Sequence, residues 1–166
     1  EDEFVKMYQV SIQFGAILAV VVLYWKKFFD FKNVGFYVKL AVAVLPALIL
    51  GKLFDDKVEA VMEKPLYIAI VMILGGIVLI FIDKVFNHPT VFNDKELTIK
   101  KALTIGFWQC LAMMPGTSRS AASIIGGMQQ GLSRNFAAEF SFFLAVPTML
   151  AVTIGTIKGK NKKAMK

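Results

Sequence analysis

Long unbroken apolar runs constrain this chain more than anything else in it. Crossing a bilayer as a helix takes about 20 predominantly apolar residues at 1.5 Å rise each. Runs near that length occupy positions 5–25, 36–54, 66–82 and 136–157. Composition agrees: of 166 residues, 57% are hydrophobic, 15 are Phe and only 19% are charged. A water-soluble domain this small would leave much of that surface wet, whereas lipid makes it a natural choice. The reading is an all-α, polytopic membrane helix bundle forming a single membrane domain over 1–166.

The net charge is +7, and the lysines punctuate the runs. Lys26, Lys27 and Lys32 follow the first. Lys100 and Lys101 precede the fourth region, and Lys158, Lys160, Lys162, Lys163 and Lys166 end the chain. Charges placed this way suit anionic headgroups and topology selection better than nucleic acid, which is excluded as a partner. Cys110 is the only cysteine, so no intrachain disulfide forms; inside an apolar run it reads as a packing residue. Glu1-Asp2-Glu3 is no signal peptide, and the absent initiator Met points to a processed chain or a fragment.

Tyr24-Trp25-Lys26-Lys27 closes the first run as an interfacial anchor. Gln9, Ser11 and Gln13 within that run should face other helices. Pro46 interrupts the second run, which Asp55-Asp56-Lys57 should end, with 59–64 a polar connection. Gly75-Gly76 in the third should let another backbone approach, and Gly127-Met-Gln-Gln-Gly131 suggests intramolecular packing. His88, in the polar loop 83–101, has no partner at metal-ligand spacing.

The region 102–132 breaks the pattern. Two short apolar arms, 102–114 and 118–132, flank Pro115-Gly116-Thr117-Ser118-Arg119-Ser120. Each arm reaches about 20 Å, short of the roughly 30 Å hydrocarbon core, so a broken helix or a re-entrant hairpin is expected. A hairpin puts the two lysine-rich segments on opposite sides of the membrane. A fully crossing broken helix puts them on the same side, which the charge rule weakly favours.

Arg119 carries the chemistry. A cation at membrane depth costs at least about 2.5 kcal/mol and marks a functional site by default. Its planar fork suits phosphate oxygens. Thr117, Ser118 and Ser120 add hydroxyls, and Gly116 lets backbone approach a ligand. A second arm starting near Ser118 would aim its N–H groups at the same anion. The bland alternative is an arginine snorkelling to headgroups beside helix-capping serines. Gln109 either orients a ligand or bonds a neighbouring helix, and Gln13 has the same two readings. Glu139 either pairs with a cation or acts as an acid or base.

The stretch 115–120 resembles the PGxSRSG signature of the undecaprenyl-diphosphate phosphatase family, the bacitracin-resistance type of bacterial membrane enzyme; Ala121 replaces its last glycine. Ile105-Gly106-Phe107-Trp108-Gln109 and the segment 134–147 are similar to its flanking segments, and Ile12-Gln13-Phe14-Gly15-Ala16-Ile17-Leu18-Ala19-Val20 resembles the family's helix after its first active-site motif. The resemblance implies a multi-pass protein of the bacterial inner membrane that removes the terminal phosphate of undecaprenyl diphosphate, recycling the cell-wall lipid carrier. It also implies paired re-entrant hairpins, a homodimer and a divalent cation, for which no ligand set is visible in this chain. Arg119 would then bind the diphosphate and stabilise transition-state charge, assisted by Ser118 and Ser120. Gly116, Thr117, Gln109, Gln13 and Glu139 would contact substrate.

The family's other motif, a glutamate pair followed by Ser-Ser-x-Gly-His, has no match from Glu1 onward. An internal fragment holding half of a bipartite site is therefore expected, with little or no turnover by itself. Two other functions stay open. The broken helix and buried arginine also suit a polyprenyl-phosphate transporter or flippase, and a structural membrane subunit would need no chemistry at all.

Overall fold

A proline, rather than a change in polarity, ends the helix that grows from the second apolar run. The computed structural model describes residues 3–28, 33–62 and 64–164. Helix α1 (Glu3–Leu23) and the short α2 (Trp25–Phe28) lead into α3 (Val34–Met62). Helix α3 runs straight through Asp55-Asp56-Lys57, where the sequence suggested an end. Charged residues are adequate helix formers once hydrocarbon is left behind, so apolarity stops before helicity does. The turn comes at Lys64, whose φ of −109° and ψ of 87° are not helical. A residue before proline is pushed out of the α region, and Pro65 then opens α4 (Pro65–Val85) at a position that needs no N–H.

Helix α5 (Ile99–Cys110) tightens into a 3₁₀ turn at Leu111–Met113, and α6 (Arg119–Gln129) follows the break. Helix α7 (Arg134–Ala164) completes an all-α fold without strands among the described residues. Within those residues, α4 and the Val34–Gly51 part of α3 are long and apolar enough to cross a membrane.

The broken pair is a hairpin. Just before α5 the N–H groups of Thr90 and Val91 donate to the Gly131 carbonyl, just after α6. Ser133 N–H returns a bond to the Val91 carbonyl at 2.8 Å. The chain thus enters and leaves the hairpin at one end. Trp108 Nε1 donates to Gln129 Oε1 at 2.6 Å between the arms. At that same end Asp94 accepts from Asn33, and its carbonyl accepts from Lys39 Nζ at 2.6 Å, tying the loop to the start of α3. Arg134 pairs with Asp83 at the end of α4. Helix α7 leaves from this end, so Lys27, paired with Glu139 near its start, lies at the opposite end of the bundle from the last turns of α7. This is the hairpin arrangement, not the fully crossing broken helix that the charge rule weakly favours.

Phe36 of α3, with Phe140 and Phe143 of α7, anchors the core. Phe36 meets Phe143 edge-on at 5.1 Å and Phe140 at 6.0 Å, the arrangement aromatic quadrupoles prefer. Gly106 lets α5 lie directly on the α3 backbone; a Cβ there would sit 2.3 Å from the Ala43 carbonyl oxygen. Gly127 packs on Ala137 of α7, so the glycine pattern at 127–131 serves contacts inside the chain. Gly75 and Gly76 do not bring a backbone close: a Cβ at either meets nothing within 4 Å. Helix α4 is the peripheral member, with Ile82 its one buried residue.

Gln109, buried on α5, donates from Nε2 to Thr148 Oγ1 at 3.1 Å, and Thr148 donates onward to the Leu144 carbonyl at 2.7 Å. Truncating one partner is costlier than removing the amide. Thr148→Val strands the Gln109 amide and should cost about 1–3 kcal/mol, whereas Gln109→Leu leaves Thr148 bonded to Leu144 and should cost less. Thermal unfolding of both variants in detergent reads the difference.

Candidate functional site at the hairpin tip

Pro115 and Gly116 turn the chain at the tip. Gly116 adopts φ +93°, and a Cβ there would sit 2.6 Å from the Ile68 carbonyl oxygen. Both the left-handed backbone and the missing side chain are therefore used. Thr117 N–H donates to the Met114 carbonyl at 3.0 Å, closing the turn. Ser118 is the N-cap of α6, its Oγ accepting from Ala121 N–H at 3.4 Å and lying 3.3 Å from Ser120 Oγ. Ser118 remains exposed and Ser120 half-buried.

Arg119 is the first residue of α6. Its guanidinium is half-buried, and Nη1 donates to the Ala145 carbonyl of α7 at 3.2 Å. No carboxylate pairs with it among the described residues. A cation at a helix N-terminus works against the helix dipole, so two positive features coincide at the tip without a local counter-charge. Guanidinium donors, two serine hydroxyls and the N-terminal N–H groups of α6 together suit an anion with several oxygens.

The tip is held from α7. Ser123 Oγ lies 2.6 Å from Ser141 Oγ and 3.0 Å from the Arg119 carbonyl. Ser141 Oγ also reaches the Ser120 carbonyl at 3.5 Å. Sequence reading missed Ser123, Ser141 and Thr148, although a signal was present. Ser141 and Thr148 stand seven residues apart on one stripe of α7, and hydroxyls recurring on one face of an apolar helix announce a polar contact.

The other candidate residues sit elsewhere. Gln109 takes the neighbour-helix option, as the Thr148 bond shows. Glu139 is ion-paired with Lys27, whose ammonium also lies over the rings of Phe36 (5.6 Å) and Phe136 (5.8 Å). The Gln13 side chain lies outside the described residues. His88 is exposed in its loop. No group of three or more His, Cys, Asp or Glu side chains converges among the described residues, so these residues offer a divalent cation no ligand set.

Beside the tip, between α4 and the hairpin, opens an apolar groove of about 340 Å³. Gly116, Thr117 and Ser118 line one part of it.

A family model described as "Bacitracin resistance protein BacA" matches residues 1–166. A protein named undecaprenyl-diphosphatase from Flavobacterium psychrophilum is 52% identical over 92% of this chain and 57% of its own length. Its namesake from Flavobacterium johnsoniae is 50% identical over the same shares, and that from Acetivibrio thermocellus is 41% identical over 92% of this chain and 61% of its own length. The chain thus spans less than two thirds of the length of these relatives. With the match running through the tip and both of its arms, the chain belongs to the bacitracin resistance protein BacA family.

Proposed function

We propose that the protein hydrolyses undecaprenyl diphosphate to undecaprenyl phosphate and inorganic phosphate, as a multi-pass protein of the bacterial inner membrane. One observation carries the reading: a half-buried guanidinium with no carboxylate partner among the described residues, placed at a helix N-terminus on a hairpin tip beside an apolar groove. An oxygen nucleophile attacks the terminal phosphorus, the bridging P–O bond breaks, and the lipid monophosphate leaves with the electron pair. Charge grows on the bridging and terminal oxygens, where Arg119 and the α6 N–H groups stabilise it. Ser118 and Ser120 donate to the same oxygens, and Thr117 with Gly116 shapes the approach.

Residues 115–120 carry no carboxylate or imidazole, so this cluster is the binding and charge-stabilising half of a site. The nucleophile, the base and the ligands of any divalent cation come from outside it. A single domain over 1–166 and the pairing of two copies belong to the same proposal, the second by resemblance to the family alone.

The test is a vesicle experiment on the intact protein with polyprenyl diphosphate in one leaflet. Phosphate release without movement of the lipid across the bilayer is the expected result. Lipid crossing without phosphate release would replace the phosphatase by a transporter. If neither occurs and no lipid phosphate raises the thermal midpoint, a structural subunit is left.

A further inference from the structure

The groove beside the hairpin tip has a direction. Its α4 side runs from Val71 and Met72 past Gly75 and Gly76 to Leu79, and its α6 side runs from Ser118 to Ile125. Gly116 abuts Ile68, so the tip marks the beginning of both sides. From Ile68 to Leu79 the helix rises roughly 16 Å. The hydroxyls of Thr117 and Ser118 stand at the tip end, one and two residues before Arg119, whose own side chain turns to the Ala145 carbonyl of α7; the rest of the lining is apolar side chains and glycine. An amphiphile with an anionic head and a greasy tail matches that polarity end for end. The volume of about 340 Å³ lies at the low end of small-molecule sites, about 300–1,000 Å³. It suits the part of a tail nearest the head, with the remainder running on into the bilayer.

We infer that this groove seats the first isoprene units of the diphosphate lipid, and that Gly75 and Gly76 make the room for them. The inference rests on the phosphatase reading for the head and on the groove for the tail. A methyl-branched chain is wider than a straight one, and two successive positions on α4 without side chains widen the groove where the branches would lie. Side chains at these positions would project into open space, since a Cβ at either meets nothing within 4 Å. Among the described residues, filling the groove therefore displaces nothing.

The test uses Gly75→Leu and Gly76→Leu in the intact protein, with thermal midpoints measured to confirm folding. In detergent, KM for a polyprenyl diphosphate should rise about tenfold or more with kcat little changed, while hydrolysis of methyl diphosphate stays within about twofold. In parallel, a polyprenyl monophosphate carrying a diazirine on its first isoprene unit should crosslink to residues 71–79, and Gly76→Leu should abolish that product. An unchanged KM with crosslinks elsewhere overturns the tail seat while leaving the phosphatase intact. Equal labelling of 71–79 by a diazirine phosphatidylcholine overturns it too, as a crevice filled by any lipid. Crosslinking to 71–79 that Gly76→Leu abolishes, with no phosphate released from any substrate, keeps the seat and removes the phosphatase.

Discussion

Arg119→Ala is expected to lower kcat for phosphate release from a polyprenyl diphosphate by about 10²–10³-fold, the usual loss when a donor aimed at developing charge is removed. The effect should fall on turnover more than on folding. The Arg119 side chain makes one hydrogen bond among the described residues, to the Ala145 carbonyl, so its loss removes little from the fold. Arg119→Lys should recover only part of the rate. An ammonium restores the charge but not the two-pronged fork, and its shorter reach changes which oxygens it meets. Ser118→Ala should be milder, since the hydroxyl caps α6 and a lost N-cap costs about 1 kcal/mol. Steady-state phosphate release, read beside thermal midpoints, separates the two kinds of loss. Turnover of Arg119→Ala within about twofold of the parent, at an unchanged midpoint, would falsify the role assigned to the guanidinium.

The largest effect on stability is expected at Gly106. A Cβ there would lie 2.3 Å from the Ala43 carbonyl oxygen and 3.0 Å from its Cα, and both belong to the α3 backbone rather than to a side chain that can swing away. Gly106→Val must push α5 off α3, prising apart the buried residues Ala43, Ala102 and Ile105. A loss of about 3 kcal/mol or more is expected, at or beyond the upper end of ordinary overpacking because backbone cannot repack. Gly75→Ala makes the opposite control. It adds a methyl group into open space on a helix and should be neutral or stabilising by up to about 1 kcal/mol. Equal midpoints for the two variants in detergent would show that α5 does not lie against α3 as closely as described.

Much of this was legible before any coordinates. The apolar run 66–82 appears as α4, and the break at 115–118 separates α5 with its 3₁₀ turn from α6. Both are local. A run of side chains states its preferred solvent, and Pro115 with Gly116 stops a helix whatever surrounds it. Arg119 stood out for the same reason, as an expensive residue where nothing local explains it. The acidic residues at 55–56 misled because solvent preference is not helix propensity; α3 continues past them until Pro65 intervenes.

Partnership was not legible. Glu139 could be a catalytic carboxylate or half of an ion pair, and its nearest basic residue in sequence is Arg134. Its actual partner, Lys27, lies more than a hundred residues away and becomes a neighbour only when α2 meets α7. Gln109 likewise had two readings until Thr148 was found opposite it. The direction of the hairpin was settled by bonds between residues 90–91 and 131–133, each of which looked like ordinary loop. By itself, then, the sequence determined which segments avoid water, where the backbone breaks and which cation needs explaining, because those properties belong to single residues and short windows. Tertiary structure alone decided which carbonyl holds that cation, which helix braces the tip and which way the chain returns. Those outcomes are set by helix packing, where Gly106, Ser141 and Thr148 act through residues distant in sequence.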